Sequence, residues 1–187
     1  EYREVAKYLL ARLFYVDGMN TLFAFGGVYA AGTFGMSLAE IIQFGIALNV
    51  AAGLGAWGFG MIDDRIGPKK VVLTAILGMI LAATPLLFVE GKLLFWAFAL
   101  PLGLFFGPAQ TASRSPMARM APPAMATEMF GLFALSGKAT AFMGPLLVGT
   151  VTAATGSHRA GMATLALLLV IGGALLLAVK TDSRLPE

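Results

Sequence analysis

The 187 residues are 58% hydrophobic and only 12% charged, with a mean hydropathy of +0.83; a soluble domain carries about 25% charged residues, so an ordinary water-soluble fold is excluded. The formal charge of +3 is scattered between apolar runs and not gathered in one patch, which argues against a nucleic-acid surface. Cys 0 and His 1 exclude disulfides, a thiol nucleophile and an ordinary zinc site, and no cofactor motif is present.

At about 20 residues per span the length fits about six transmembrane helices, so the expected fold class is all-α, a polytopic membrane protein forming a single domain over 1–187. The chain opens Glu1-Tyr2-Arg3-Glu4 with no initiator methionine and no signal peptide, which predicts an internal start within a longer protein. The first span, about 5–31, is the most polar and carries Arg12, Asp17 and Asn20. Ser37-Leu-Ala-Glu40 has the spacing of a capping box and starts the second span, about 38–61. Gly53, Gly55, Gly58 and Gly60 in its later half predict a smooth surface for tight helix packing.

Next comes Gly60-Met-Ile-Asp63-Asp64-Arg65-Ile-Gly67-Pro68-Lys69-Lys70, a charged reversal between two apolar runs. Gly67 supplies backbone conformations other residues resist, and Pro68 presets the first turn of the following helix. Arg65, Lys69 and Lys70 hold the turn on the cytoplasmic side. The third span is about 71–89, and Glu90-Gly91-Lys92 is the next reversal. Span four, about 93–112, is expected to be interrupted at Pro101, Gly103, Gly107 and Pro108, which a membrane tolerates where neighbours or a water-lined cavity satisfy the freed backbone groups. A polar connection around Arg114 and Arg119 leads to span five, about 128–152, which contains Lys138. Thr155 to Arg159 is the last outer turn, and span six is about 161–179. Arg3, Lys7, Arg65, Lys69, Lys70, Arg114, Arg119, Lys180 and Arg184 fall on one side against Lys92 and Arg159 on the other, so both ends of the chain are expected in the cytoplasm.

Intramembrane charges are the strongest functional pointers, since each costs about 2.5 to 3.5 kcal/mol at a helix centre. Asp17 and Lys138 lie roughly 15 to 20 Å along their helices at 1.5 Å per residue, which predicts a shared depth and a pair that opens when a proton or solute competes. The alternative is a fixed structural ion pair. Arg12 either receives a solute carboxylate or snorkels to headgroups. Asn20, Asn49 and Gln110 either line the same cavity or bond between helices, with Asn20 and Gln110 ranked first. Ser136-Gly137-Lys138 fails as a phosphate loop on glycine spacing and on the missing Ser or Thr after the lysine. Ser136 also fails as an intramembrane protease nucleophile, because the single histidine, His158, sits in an outer turn, beyond the reach a general base needs.

The turn pattern Gly-x-x-x-Asp-Arg-x-Gly-x-Lys-Lys resembles the loop signature of the major facilitator superfamily. Four further stretches, Leu10–Thr21, Phe25–Ala30, Gly107–Ser115 and Glu128–Lys138, resemble its branch of autophagy-related vacuolar amino-acid effluxers and their bacterial relatives. The resemblance implies the carboxy-terminal six-helix half of a twelve-helix transporter, moving a small solute, first of all amino acids, by alternating access. It implies a bacterial inner-membrane location and, as partners, membrane lipid, the solute, and a missing amino-terminal half or a second copy of this chain. Spans one and four would then face the cavity, giving Arg12, Asp17, Asn20, Gln110 and Lys138 as the solute or proton pathway. Gly60, Asp64, Arg65, Gly67 and Lys69 would form a conformational latch, with Asp64 meeting a helix end of the other half. A non-transporting membrane scaffold is the competing reading.

Overall fold

The computed structural model describes residues 2–180, apart from the side chain of Asp64; Arg184 lies outside the described residues. The protein is all-α: its helices are α1 (Arg3–Phe34), α2 (Leu38–Ile66), α3 (Pro68–Leu86), α4 (Lys92–Ala112), α5 (Arg114–Met120), α6 (Ala126–Ala139), α7 (Met143–Thr155) and α8 (His158–Leu177), and no strand occurs among the described residues. Five stretches are long and apolar enough to cross a membrane: Leu38–Asp63, Pro68–Leu86, Lys92–Met120, Pro123–Thr155 and His158–Leu177. The 32 residues of α1 reach about 48 Å at 1.5 Å per residue, ample for a hydrocarbon core of about 30 Å, but this helix is more polar than the others.

Local chemistry sets the helix ends. Ser37 accepts from the Glu40 N–H and the Glu40 carboxylate accepts from the Ser37 N–H at 2.7 Å, so the capping box forms as its spacing predicts. Gly67 takes φ +85° and Pro68 occupies the first turn of α3, which reverses the chain with no intervening loop. Ser157 caps α8 by accepting from the Ala160 N–H.

The helices form a bundle in which α2 packs on α4, α4 on α3, α3 on α8, and α8 on α1 and α7, while α6 lies against α1. Tyr8, Tyr15, Phe95, Met79, Leu165 and Leu169 are among the large side chains fully buried inside it. Leu38, Ile42, Ile46, Val50, Leu54, Trp57 and Met61 stay exposed along one stripe of α2, an apolar face suited to hydrocarbon and not to water.

Three expectations about helix shape are corrected. Span four is one continuous helix despite Pro101 and Pro108. Pro108 has no N–H to offer the Leu104 carbonyl, and at that point α2 comes so close that a Cβ on Gly55 would lie 1.9 Å from the Leu104 oxygen. Neighbouring backbone thus covers the group that proline frees, and the helix does not need to break. Span five is the broken one. Its helix stops at Ala139 and resumes at Met143, with the gap filled by turn residues Thr140 to Phe142 and the Met143 N–H returning to the Thr140 carbonyl at 2.8 Å. Finally, the glycines of α2 do not act together. Gly55 is pressed against α4, whereas Gly53, Gly58 and Gly60 have no neighbouring atom within 4 Å of a built Cβ.

The basic residues segregate as their order along the chain predicts. At one end Lys69 reaches the carbonyls of Leu177, the last residue of α8 (2.9 Å), and of Val179 just beyond it (2.5 Å), and the Lys180 N–H donates to Glu4 at 2.7 Å. At the other end Lys92 pairs with Glu40 at 2.7 Å and Arg159 donates to the Val89 carbonyl at 2.9 Å.

Candidate functional site

The polar residues of α1 divide by helical angle. Arg12, Val16, Met19 and Asn20 recur at the spacing of one helix face and line a cavity of about 490 Å³. Asp17 lies five positions after Arg12, a rotation of about 140° at 100° per residue, and points elsewhere. Gln110, Ser113 and Arg114 border the cavity from α4 and its junction with α5, and Phe133, Gly137 and Lys138 border it from α6.

Arg12 is anchored within this cavity and does not snorkel. Its Nη1 donates to the Phe133 carbonyl at 2.6 Å and to Ser136 Oγ at 2.9 Å, and its guanidinium carbon stands 3.6 Å from the centre of the Phe133 ring, a cation–π geometry. Ser136 in turn donates to the Phe133 carbonyl at 2.8 Å. Gly137 makes the approach possible, since a Cβ there would sit 2.6 Å from Nη1. Across the cavity Gln110 Nε2 donates to Asn20 Oδ1 at 3.3 Å. Asn49 takes no part, because its amide bonds to the Gly45 carbonyl of its own helix at 2.8 Å.

The expected meeting of Asp17 with Lys138 does not occur in this structure. Asp17 is 2% exposed, and its Oδ2 accepts from the Gly144 backbone N–H at 2.6 Å. That amide lies in the first turn of α7, where donors lack intrahelical partners and the helix dipole is positive. The other oxygen, Oδ1, has no hydrogen-bond partner. Two further contacts hold the break beside α1: Thr140 donates to the Leu13 carbonyl at 3.1 Å, and a Cβ on Gly144 would fall 2.1 Å from Thr21 Oγ1. Lys138 is exposed and faces the cavity. The break turns α7's amides toward Asp17 and leaves Lys138 on the cavity wall, so depth along the helix does not make the two residues a pair.

Sequence reasoning missed a buried hydroxyl cluster next to this cavity. Tyr15 and Ser113 share a hydrogen bond at 2.9 Å, Tyr8 donates to the Ser113 carbonyl and lies 3.4 Å from the Tyr15 hydroxyl, and Ser113 donates back to the Ala109 carbonyl. Both tyrosines are 0% exposed. Their spacing of seven residues on α1, one face of a helix, was the available signal; Ser113 is 98 positions further from Tyr15, and no pattern announces that pairing.

At the charged turn, Gly67 donates its N–H to the Asp63 carbonyl at 2.9 Å, Arg65 is exposed and Lys69 caps α8. Among the described residues a Cβ built on Gly60 meets no atom within 4 Å, so the close approach expected of it is not made within this chain. Nearby, the Glu4 carboxyl is held below its ordinary range, first by the Lys180 backbone N–H and then by Lys7 at 2.6 Å. A separate internal void of about 30 Å³, bordered by Phe23, Phe44, Met79 and Leu102, is apolar and no larger than a water or two.

Comparison with known proteins fits this architecture. A Bacillus subtilis protein named "Uncharacterized MFS-type transporter YxiO" is 28% identical over 183 residues, covering 98% of this chain and 42% of the relative. An "Autophagy-related protein 22" of Cryptococcus neoformans is 29% identical over 180 residues, 88% of this chain and 33% of the relative. "Autophagy-related protein 22-2" of Aspergillus niger is 26% identical over 184 residues, 90% and 31% respectively. The chain therefore spans less than half the length of these relatives. Residues 1–187 match throughout the family described as vacuole effluxer Atg22 like, and the chain belongs to that family.

Proposed function

We propose that this chain is the carboxy-terminal half of a secondary-active transporter in which the cavity between α1, α4 and α6 takes up a small polar solute and releases it by alternating access. The observation that carries this reading is the convergence of Arg12, Asn20, Gln110 and Lys138 on one cavity of about 490 Å³. Such a cluster is expensive inside a bilayer unless water or solute occupies it. Amino acids are the first solute class. The cations at Arg12 and Lys138 suit a carboxylate, and the carbonyl oxygens of Asn20 and Gln110 suit an ammonium.

Asp17 serves the coupling step in this reading. A carboxylate with one buried oxygen unpaired is a place where a proton changes the balance of forces on the α6–α7 break. The charged turn acts as the latch through Lys69, which ties α3 to the end of α8, and Asp64 meets the other half of the transporter. The membrane is a bacterial inner membrane with both ends of this chain in the cytoplasm, following the excess of Lys and Arg at that end.

The test uses the full-length protein in liposomes, loaded with one amino acid and given labelled amino acids outside. Exchange that falls at least tenfold in Lys138→Ala, while Lys92→Ala retains it, supports the reading. Asp17→Asn should keep exchange but lose accumulation driven by a pH gradient. If no amino acid exchanges in the folded wild-type protein, the amino-acid assignment falls. If in addition no solute protects a cysteine introduced at Asn20, the membrane-scaffold reading takes its place.

A further inference from the structure

A second cavity, of about 800 Å³, opens at the basic end of the bundle between the α2–α3 turn, α5 and the end of α8. Among the described residues, Lys69, Lys70, Arg119 and Lys180 line it and no carboxylate does, and Leu73 and Leu177 form apolar walls beside the cations. Leu177 is 65% exposed, which leaves the apolar wall open to the surroundings of the bundle.

The cations are held and not merely present. Lys69 is fixed by the carbonyls of Leu177 and Val179; an ammonium has three donors, so one N–H remains after those two bonds. Lys70 and Arg119 are exposed and come from two different elements. Glu4 accepts from the Lys180 backbone N–H and pairs with Lys7. Among the described lining residues the charge is of one sign, with Lys69 and Lys70 from α3 and Arg119 from α5.

We infer that this cavity binds the headgroup of an anionic phospholipid, with the phosphate among Lys69, Lys70 and Arg119 and the acyl chains descending along Leu73 and Leu177. A free anion would use the cations but not the apolar walls; a phospholipid uses both. Basic pockets between transmembrane helices on the cytoplasmic side are suited to such headgroups. Because Lys69 also joins the turn to the end of α8, a bound headgroup would strengthen the tie between those elements. The inference does not depend on which solute, if any, the other cavity carries.

The experiment is native mass spectrometry of the full-length protein after exposure to phosphatidylglycerol or phosphatidylcholine, with lipid retention followed as detergent is exchanged. Wild-type protein should retain phosphatidylglycerol over phosphatidylcholine, and Lys70→Gln with Arg119→Gln should weaken retention at least tenfold, at about fivefold per surface cation. Lys92→Gln, at the opposite end, should leave retention unchanged. Equal retention of the two lipids, or full retention in the double variant, would overturn the assignment. So would displacement of the lipid by millimolar inorganic phosphate, which would make the site one for free anions. Both variants sit on exposed side chains, and an unchanged elution volume and helical spectrum establish that they are folded.

Discussion

The α2–α4 seam and the α1–α6 face are built from the same residue vocabulary and do opposite things. Along the seam, Gly55 meets the Leu104 carbonyl, Gly107 meets the Ala52 carbonyl and Gly103 meets the Leu48 carbonyl, each so closely that a Cβ would fall 1.9 to 2.6 Å from the oxygen. No side chain intervenes, and the contacts are backbone against backbone, where weak Cα–H···O attraction and dispersion act over short distances. On the α1–α6 face, Gly137 serves to admit a guanidinium, and the helices stand apart around a cavity. Small residues thus close one interface and open the other, depending on what the facing helix presents.

The largest expected effect breaks the seam. Gly107→Val cannot be accommodated by a rotamer change, because the clash is with backbone; destabilisation should exceed about 3 kcal/mol, beyond the usual cost of overpacking. Thermal unfolding of the full-length protein in detergent, or its failure to elute as a single species, reads this out. Gly60→Ala should lie within about 0.5 kcal/mol of wild type, as for an ordinary surface change. If the two variants behave alike, the seam is not what holds α2 to α4.

An intermediate effect is expected where the two regions join. Tyr15→Phe removes one of the two partners of Ser113 Oγ within a fully buried cluster and should cost about 1 to 2 kcal/mol, measured in the same unfolding experiment, with Tyr8→Phe comparable. On the open face the stability effect should be smaller still. Asn20→Ala loses only a 3.3 Å bond at the edge of a cavity, a contact worth about 0.6 kcal/mol in membrane proteins. A stability loss well above that value would mean that Asn20 is a structural bond and not part of an open site.

The smallest effect is a pH dependence at the basic end. The folded Glu4 carboxyl lies below its ordinary value of 4.5, so its contribution is complete above that value and is lost as the pH falls through the depressed one. Protection of the Val179 and Lys180 amides, taken relative to their intrinsic exchange rates, should therefore fall in acid, and Glu4→Gln should show the lower protection at neutral pH and converge with wild type in acid. Protection in wild type that stays constant across the acid range would remove Glu4 from the tie between α1 and α8.

Much of this was legible in the chain itself. The all-helical run of long apolar segments, the capping box at Ser37, the Gly67-Pro68 reversal and the sorting of lysines and arginines between two ends all follow from local chemistry and the bilayer's thickness, which act on each segment alone. The placement of Asn20 and Gln110 on one cavity was within reach because both are polar residues at similar depth on helices that the composition marks as unusual. The errors share a cause. Asp17 and Lys138 were matched by depth, yet pairing depends on rotation. Of the α2 glycines Gly53, Gly55, Gly58 and Gly60, it is Gly55 that meets another helix among the described residues. Proline predicts a break in α4, where Gly55 of a neighbouring helix covers the freed carbonyl; the break falls instead at Thr140 to Phe142, just before Pro145, which has no N–H to offer the Ala141 carbonyl.

What the sequence by itself determined is the all-helical class, the apolar lengths of the segments and the caps and reversals at several of their ends, because hydrophobic length, caps and turn residues act within one segment and need no partner. What only the tertiary structure decided is which face of each helix meets which neighbour: that Asp17 answers an α7 amide, that Arg12 is held by Phe133 and Ser136, and that Lys69 closes the end of α8. Facing is set by close packing between helices distant in sequence, and no residue carries that information until its neighbours are in place.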